Sequence, residues 1–129
     1  MLPELPILFV DDEPDVLRAL FRTVAHAGWV VVSANGAKEA LGLLEQQEFG
    51  VVVSDYRMPH MDGVAFLSAV RERWPETERI LVTAYADEGA LERGINEAAI
   101  SRFLRKPWKR DVLLQNLTQA MDHVRVRRE

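Results

Sequence analysis

The chain of 129 residues is long enough for one hydrophobic core and too short for two. Its formal charge of -4 argues against a nucleic-acid-binding surface spread over the domain, and the absence of cysteine excludes disulfides and thiolate metal sites. Because the amino end has neither a basic leader nor an apolar stretch of membrane length, the chain is predicted to be cytoplasmic and free of membrane contact.

Short apolar runs alternate with segments of helical period along the chain. Each run is followed by residues that repeat at helical spacing and form one buried helix face, at i, i+3, i+4 and i+7 in the first helix. The repetition of strand and helix predicts βαβ units and an α/β fold with a parallel sheet. The predicted strands are 7–10, 29–32, 51–55, 80–82 and 100–104.

Capping residues and periodicity locate the helices between these strands. Asn35 is the predicted N-cap of the second helix, and Asp87 is that of the fourth. With Gly89 and Gly94, the fourth helix is the weakest by propensity, as expected of a region that rearranges. Its predicted inner face contains Leu91, Gly94, Ile95 and Ala98.

Polar residues follow four of the predicted strands. Parallel strands with right-handed crossovers bring these ends to one edge of the sheet, where open α/β sheets bind ligands. Each residue alone has an ordinary interpretation as a turn former, a cap or a surface charge, with a prior of about 80–90%. Their joint occurrence reverses those odds. The residues are Asp11, Asp12, Asp55, Thr83 and Lys106.

These residue types indicate phosphoryl chemistry. Three carboxylates held close together repel one another, so the site must protonate one, separate them or bind a cation. Hard oxygen ligands without His or Cys favour Mg²⁺, with Mn²⁺ as the alternative. Lys106 and Thr83 supply positive charge and a hydrogen bond to the oxygens of a transferring phosphoryl group. The hypothesis is that the Asp55 carboxylate attacks phosphorus and forms an acyl phosphate.

The ordered set of motifs resembles a two-component response-regulator receiver domain over nearly the whole chain. The resemblance implies a three-layer, doubly wound, flavodoxin-like (βα)5 fold with a five-stranded parallel sheet in the order 2-1-3-4-5. It also implies a single receiver domain over residues 1–129. Residues 125–129 are read either as a solvated helix end or as the start of a linker to an output domain outside this chain. The motifs are Asp11-Asp12, Asp55-Tyr56-Arg57-Met58-Pro59, Met61-Asp62-Gly63, Thr83 and Lys106-Pro107.

The resemblance implies a metal-dependent phosphoacceptor. Asp55 takes a phosphoryl group from a sensor histidine kinase, a phosphotransfer protein or a small phosphodonor. Asp11 and Asp12 hold Mg²⁺, directly and partly through water, with Asp55 and the backbone carbonyl of Arg57 as further ligands. No direct binding of nucleic acid by this domain is expected.

Further residues receive roles from the same resemblance. Thr83 and Lys106 bind the phosphoryl oxygens, and the bond between Lys106 and Pro107 is expected to be cis. Phe103 matches the switch aromatic that turns inward as Thr83 moves toward the phosphate, although by residue type alone it is equally a core aromatic. Arg57 and Tyr85 hold positions that tune phosphate lifetime, and as bulky residues they are predicted to shield the acyl phosphate from water.

The favoured function is a signalling switch that catalyses only its own phosphorylation and dephosphorylation. The surface around helix four, strand five and helix five would then control a downstream output. A phosphatase or phosphotransferase would want an acid/base carboxylate two residues after the nucleophile, where Arg57 stands. A flavodoxin-like cofactor module lacks its glycine-rich phosphate loop. A degenerate receiver acting by contact alone is disfavoured because every chemical position is filled.

The output partner is open at this stage. The segments Ser54-Asp55-Tyr56-Arg57-Met58-Pro59 and Lys106-Pro107-Trp108 resemble those of receivers that precede cyclic-di-GMP phosphodiesterase or transcriptional activator modules. A stand-alone regulator is the alternative. A homodimer through helix four to helix five, or through helix one, is the pairing that the resemblance implies.

Overall fold

The structure, a computed structural model, describes residues 4–84, 88–100 and 102–128. Strands and helices alternate through these residues. The elements are β1 (Ile7–Val10), α1 (Pro14–Val24), β2 (Val31–Ala34), α2 (Ala37–Gln46), β3 (Val51–Asp55), α3 (Gly63–Arg73), β4 (Glu78–Thr83), α4 (Glu88–Ala98), β5 (Arg102–Arg105) and α5 (Arg110–Arg128).

The strands form one parallel sheet in the order β2-β1-β3-β4-β5, which confirms the predicted topology. Every residue of β1 and β3 is buried, as expected of central strands covered by helices on both faces. The register opposes Val10 to Ser54 and Asp55 to Val82, so the carboxyl ends of β1, β3 and β4 lie at one edge.

Alternate strand residues enter two hydrophobic cores, one on each face of the sheet. Leu8, Val52 and Leu81 pack with α2, α3 and α4, whereas Phe9, Val53 and Val82 pack with α1 and α5. Because successive side chains of a strand point to opposite faces, apolar residues in an unbroken run serve both cores. Within the described ranges, none of the helices combines the length and the apolar character needed to cross a membrane.

Some predicted strand boundaries are wrong by two residues. β2 begins at Val31 rather than at residue 29, and β4 begins at Glu78, which pairs with β3 despite its charge. β5 begins at Arg102 rather than at Ile100, whose N–H instead donates to the Gly94 carbonyl and closes α4. Local composition cannot predict these strand boundaries, because they depend on pairing with the neighbouring strands.

Two predicted helix features are also wrong. Gly36 rather than Asn35 is the N-cap of α2, and the Asn35 N–H donates to the Glu39 carboxylate at 3.3 Å. Ile95 is 57% exposed because α4 turns its small residues inward, and the bulky side chain lies off that face. Asp87, the predicted cap of α4, lies outside the described residues. The small inward residues of α4 are Ala90, Gly94 and Ala98.

Candidate functional site

Three carboxylates meet at the carboxyl edge of the sheet. Asp11 follows β1, and Asp55 is the last residue of the adjacent β3, so the parallel register brings their side chains together. With Asp12, they offer oxygens that lie within 4.8 Å of one another. Asp11 and Asp55 are buried, whereas Asp12 is exposed. The cluster is therefore closed toward the core and open toward solvent.

Lys106 joins this cluster from the end of β5. Its Nζ lies 3.1 Å from Asp55 Oδ1 and 3.3 Å from Asp11 Oδ2. Its backbone N–H donates to the Thr83 carbonyl at 2.8 Å, and the peptide bond to Pro107 is cis, as the resemblance implied. One ammonium thus faces two carboxylates from different strands.

Burial dominates the electrostatics of the site. Burial first, and then the nearby Asp11 charge, raise the pKa of Asp55, and Lys106 and the Tyr56 N–H partly offset them, so that the pKa is about 6. Burial also lowers the pKa of Lys106, but its hydrogen bonds and charge interactions with Asp55 and Asp11 outweigh that effect and raise the pKa overall. At neutral pH Asp55 is therefore ionised and Lys106 is protonated.

Thr83 presents a buried hydroxyl without a partner. It ends β4 and is 1% exposed, and across the described parts of the chain its Oγ1 and Arg102 Nε are the buried side-chain atoms without a hydrogen-bond partner. An unsatisfied buried polar group costs about 1–3 kcal/mol. The Thr83 hydroxyl is therefore available to an oxygen of a ligand at this edge.

The loop after β3 is closed tightly over the Asp55 backbone. The Gly63 N–H donates to the Tyr56 carbonyl at 2.7 Å, and the Asp62 carboxylate caps α3 by accepting from the Ala65 N–H at 2.9 Å. A Cβ on Gly63 would overlap the Asp55 carbonyl oxygen and lie 2.9 Å from Tyr56 Cα. The local structure thus explains these two residue types: Asp62 caps α3, and the next position has no room for a side chain.

A polar opening of about 430 Å³ leads to the acidic cluster from solvent. Arg57, the predicted lifetime-tuning residue, is exposed at this opening. Tyr85, the second such residue, lies outside the described residues. The opening is lined by Asp12, Tyr56, Arg57, Met58, Pro59 and Asp62.

Phe103 lies on the side of β5 that faces α4. It is half-buried, and a Cβ built on Gly94 would approach its Cε1 at 3.2 Å. The absence of a side chain at Gly94 therefore makes room for the ring. Gly94 was predicted on the inner face of the fourth helix and as a weak helix former, but its contact with Phe103 on β5 is not visible in local composition.

Arg93 is a contact of this site that the sequence did not predict. Its Nη1 donates to Tyr56 Oη at 3.1 Å and to Asp62 Oδ2 at 3.2 Å, so α4 contacts the loop that follows Asp55. A lone arginine on a helix ordinarily indicates a solvated surface, and nothing in the spacing of the chain marks it as a partner of this loop.

The donor set fits a hard divalent cation. Asp11, Asp12 and Asp55 offer carboxylate oxygens alone, which suits Mg²⁺ or Mn²⁺ better than softer metals. A cation there would also relieve the repulsion between the buried carboxylates. The cluster therefore offers the ligand atoms that a hard divalent cation requires.

Known proteins resemble this chain over most of its length. A sequence profile described as "Response regulator receiver domain" matches residues 7–118. The hydrogenase transcriptional regulatory protein HoxA of Cupriavidus necator is 41% identical over 116 residues, covering 90% of this chain and 24% of HoxA. The C4-dicarboxylate transport transcriptional regulatory protein DctD of Rhizobium meliloti is 34% identical over 120 residues, covering 93% of this chain and 26% of DctD.

This chain therefore spans about a quarter of the length of these curated relatives. Among solved structures, the signal receiver domain of an HD domain-containing protein from Pseudomonas fluorescens Pf-5 has a TM-score of 0.93 at 34% identity. That match covers 99% of this chain and 95% of the other. The fold, the sheet order and the sequence match all indicate the same family. The chain belongs to the response regulator receiver domain family of bacterial two-component systems.

Proposed function

We propose that Asp55 accepts a phosphoryl group in an Mg²⁺-dependent reaction, and that its phosphorylation switches the surface formed by α4, β5 and α5. The observation that carries this proposal is the position of Lys106 between Asp55 and Asp11 at 3.1 and 3.3 Å. A buried nucleophile, a fixed cation and the unpartnered Thr83 hydroxyl together form the arrangement that phosphoryl transfer needs.

Asp55 acts as the nucleophile in the proposed reaction. An oxygen of its carboxylate forms a bond to phosphorus, and the bond between phosphorus and the donor breaks, so the donor leaves with the electron pair. Because the pKa of Asp55 is about 6, the carboxylate is ionised at neutral pH without a separate base. The product is an acyl phosphate, which water hydrolyses back to the carboxylate.

Lys106 and Thr83 bind the phosphoryl oxygens in this proposal. The Lys106 ammonium exchanges a carboxylate partner for a phosphoryl oxygen, and the Thr83 Oγ1 donates its unused hydrogen bond. Asp11, Asp12, Asp55 and the backbone carbonyl of Arg57 would hold Mg²⁺, which would supply further positive charge to the phosphoryl oxygens when bound. Thr83 therefore couples the charge at Asp55 to the end of β4.

The donor is proposed to be a sensor histidine kinase or a phosphotransfer protein, with small phosphodonors as substitutes. By similarity to HoxA and DctD, whose names describe transcriptional regulation, we propose a transcriptional output carried by a domain or effector outside this chain. Residues 1–129 remain proposed as one receiver domain. A homodimer and a cytoplasmic location remain predictions from sequence.

Incubation with Mg²⁺ and acetyl phosphate, followed by intact mass measurement, tests the reaction. Wild type should gain one phosphoryl group, and the gain should disappear in Asp55→Asn and after removal of the metal with EDTA. Asp15→Asn, at an exposed aspartate of α1, is the matched control and should retain the gain. A gain that persists in Asp55→Asn would contradict the assignment. Continuous phosphate release from a small ester would indicate an enzyme instead.

A further inference from the structure

Arg93 connects α4 to the loop that follows the phosphoacceptor. Its Nη1 donates to Tyr56 Oη at 3.1 Å and to Asp62 Oδ2 at 3.2 Å. Its Nη2 lies 3.5 Å from the Glu97 carboxylate, one turn further along the same helix. Because the Arg93 side chain is 40% exposed and that of Asp62 is 34% exposed, these contacts are moderate in strength.

Both partners of Arg93 are tied to the site. Tyr56 is bonded to Asp55 through the backbone, and its N–H donates to the Val82 carbonyl at 3.0 Å. Asp62 caps α3, and both residues line the opening to the acidic cluster. A displacement of Arg93 therefore acts on the peptide next to the proposed nucleophile.

The carboxyl end of α4 is held separately. The Glu97 carbonyl accepts from Ser68 Oγ at 3.1 Å and lies 3.5 Å from Arg71 Nη1, while the Ala98 carbonyl accepts from Arg79 Nε at 3.0 Å. These bonds fix the last turn of α4 on α3 and β4. Because this end is held, a movement of α4 would displace the part of the helix that precedes it, which includes Arg93.

The residue after Arg93 faces the aromatic of β5. Gly94 leaves room for Phe103, and a Cβ there would approach the ring at 3.2 Å. The packing is close, so a small change in the position of α4 changes the space that the ring occupies. The contacts of Arg93 with Tyr56 and Asp62 therefore also maintain the position of Phe103.

We propose that Arg93 is a positioning residue that holds α4 against the loop after Asp55 while Asp55 carries no phosphoryl group, and thereby opposes the phosphorylated form. This inference rests on the proposed function. Contacts that are stronger in one of two conformations shift the equilibrium toward that conformation by their differential energy. Removing the Arg93 contacts therefore favours the form that binds a phosphoryl group.

The affinity for Mg²⁺ with beryllofluoride, a non-covalent mimic of a phosphoryl group on aspartate, tests the proposal. Arg93→Ala should bind the mimic about two- to tenfold more tightly than wild type. Arg71→Ala is the matched control, because Arg71 contacts α4 at the Glu97 carbonyl without reaching Tyr56 or Asp62. Its affinity should equal that of wild type. Unchanged or weaker binding by Arg93→Ala would overturn the proposal.

A double-mutant cycle tests whether Tyr56 and Arg93 act through one contact. Tyr56→Phe removes the hydroxyl acceptor, keeps the ring and should tighten binding of the mimic less than Arg93→Ala does. In the Arg93→Ala background, Tyr56→Phe should have no further effect, because its donor is already gone. Fully additive effects would contradict a shared contact.

Amide hydrogen exchange separates this inference from the proposed function. Without Mg²⁺ and mimic, the amides of residues 89–98 should exchange faster in Arg93→Ala than in Arg71→Ala, because loss of the Arg93 contacts releases the middle of α4. If wild type binds the mimic but α4 exchange does not change in Arg93→Ala, the inference fails and the proposed function stands. If wild type neither binds the mimic nor gains a phosphoryl group, the proposed function fails, and so does a role for Arg93 in switching.

Discussion

Asp55 is expected to destabilise the folded protein at neutral pH because its charge is buried. Its pKa is about 6 in the fold against an ordinary 3.8, so between these values the folded form holds a proton that the unfolded form has lost. Stability therefore falls as pH rises from about 4 to 6, by roughly 3 kcal/mol in all. Asp55→Asn cannot ionise, and urea unfolding in EDTA should find it more stable than wild type at pH 7.

The pH dependence distinguishes this effect from a general gain in packing. The advantage of Asp55→Asn should shrink as pH falls and approach zero below about pH 3, where wild-type Asp55 is protonated in both the folded and the unfolded state. Asp15→Asn, which alters an exposed carboxylate of α1, should follow the wild-type profile. An advantage of Asp55→Asn that is equal at pH 4 and pH 7 would refute the assignment of the effect to the Asp55 charge.

Gly63 is expected to tolerate no side chain. Gly63→Ala places a Cβ against the Asp55 carbonyl oxygen and 2.9 Å from Tyr56 Cα, so the loop must shift. The expected loss is about 1–3 kcal/mol in the free energy of unfolding, with reduced phosphorylation of Asp55. The control is Gly42→Ala in α2, where a Cβ meets nothing within 4 Å. Urea unfolding should find that variant about 0.5–1 kcal/mol more stable.

At the scale of secondary structure, the carboxyl end of α4 contains a strained residue. Ala99 has a φ of 50°, the left-handed region in which glycine commonly follows a helix, and the Ile100 N–H donates to the Gly94 carbonyl at 3.1 Å. Ala99→Gly should stabilise the protein by about 0.5–1 kcal/mol, because a non-glycine residue there costs about 1–2 kcal/mol. Ala25→Gly, at a position with a φ of -55°, should destabilise it instead. Thermal unfolding of both variants measures this contrast, and equal changes would contradict it.

The elements differ in how well the sequence predicts them. β1 and β3 could be predicted because each is an apolar run buried on both faces, and their terminal carboxylates were expected to meet for the same reason. The cap of α2 and the exposure of Ile95 could not. The cap of α2 depends on a side chain that reaches back from the helix, and the exposure of Ile95 depends on how closely α4 approaches its neighbours. Arg93 illustrates the same limit, because its two partners lie 37 and 31 residues away.

At the scale of the whole molecule, the sheet order explains why distant residues form one site. Order β2-β1-β3-β4-β5 sets β3 between β1 and β4, so Asp11, Asp55 and Thr83 lie at the carboxyl ends of three adjacent strands. This convergence was predictable from parallel pairing alone, since any such sheet gathers its carboxyl ends at one edge. The roles of these residues in phosphoryl transfer remain proposals that the mass measurement tests.

The opposite edge of the sheet holds α5 through a buried carboxylate. Glu78, at the start of β4, accepts from Arg127 Nη1 at 2.6 Å and lies 3.4 Å from His123 Nδ1, so it secures the last two turns of the helix. Glu78→Gln should lower the free energy of unfolding by about 1.5–3 kcal/mol, because it weakens charge-assisted bonds at a side chain that is 10% exposed.

Glu76→Gln is the matched control for this prediction. The Glu76 carboxylate is 82% exposed and lies 3.6 Å from Arg127 Nε, so its removal should change stability by no more than about 0.5 kcal/mol. Urea unfolding measures both variants, and hydrogen exchange over residues 121–128 localises the effect. If α5 packs by its apolar stripe alone, the two variants will unfold alike, and Glu78 contributes no more than a surface charge. A larger loss in Glu78→Gln, with faster exchange in these turns, identifies the buried carboxylate as the residue that anchors the end of α5.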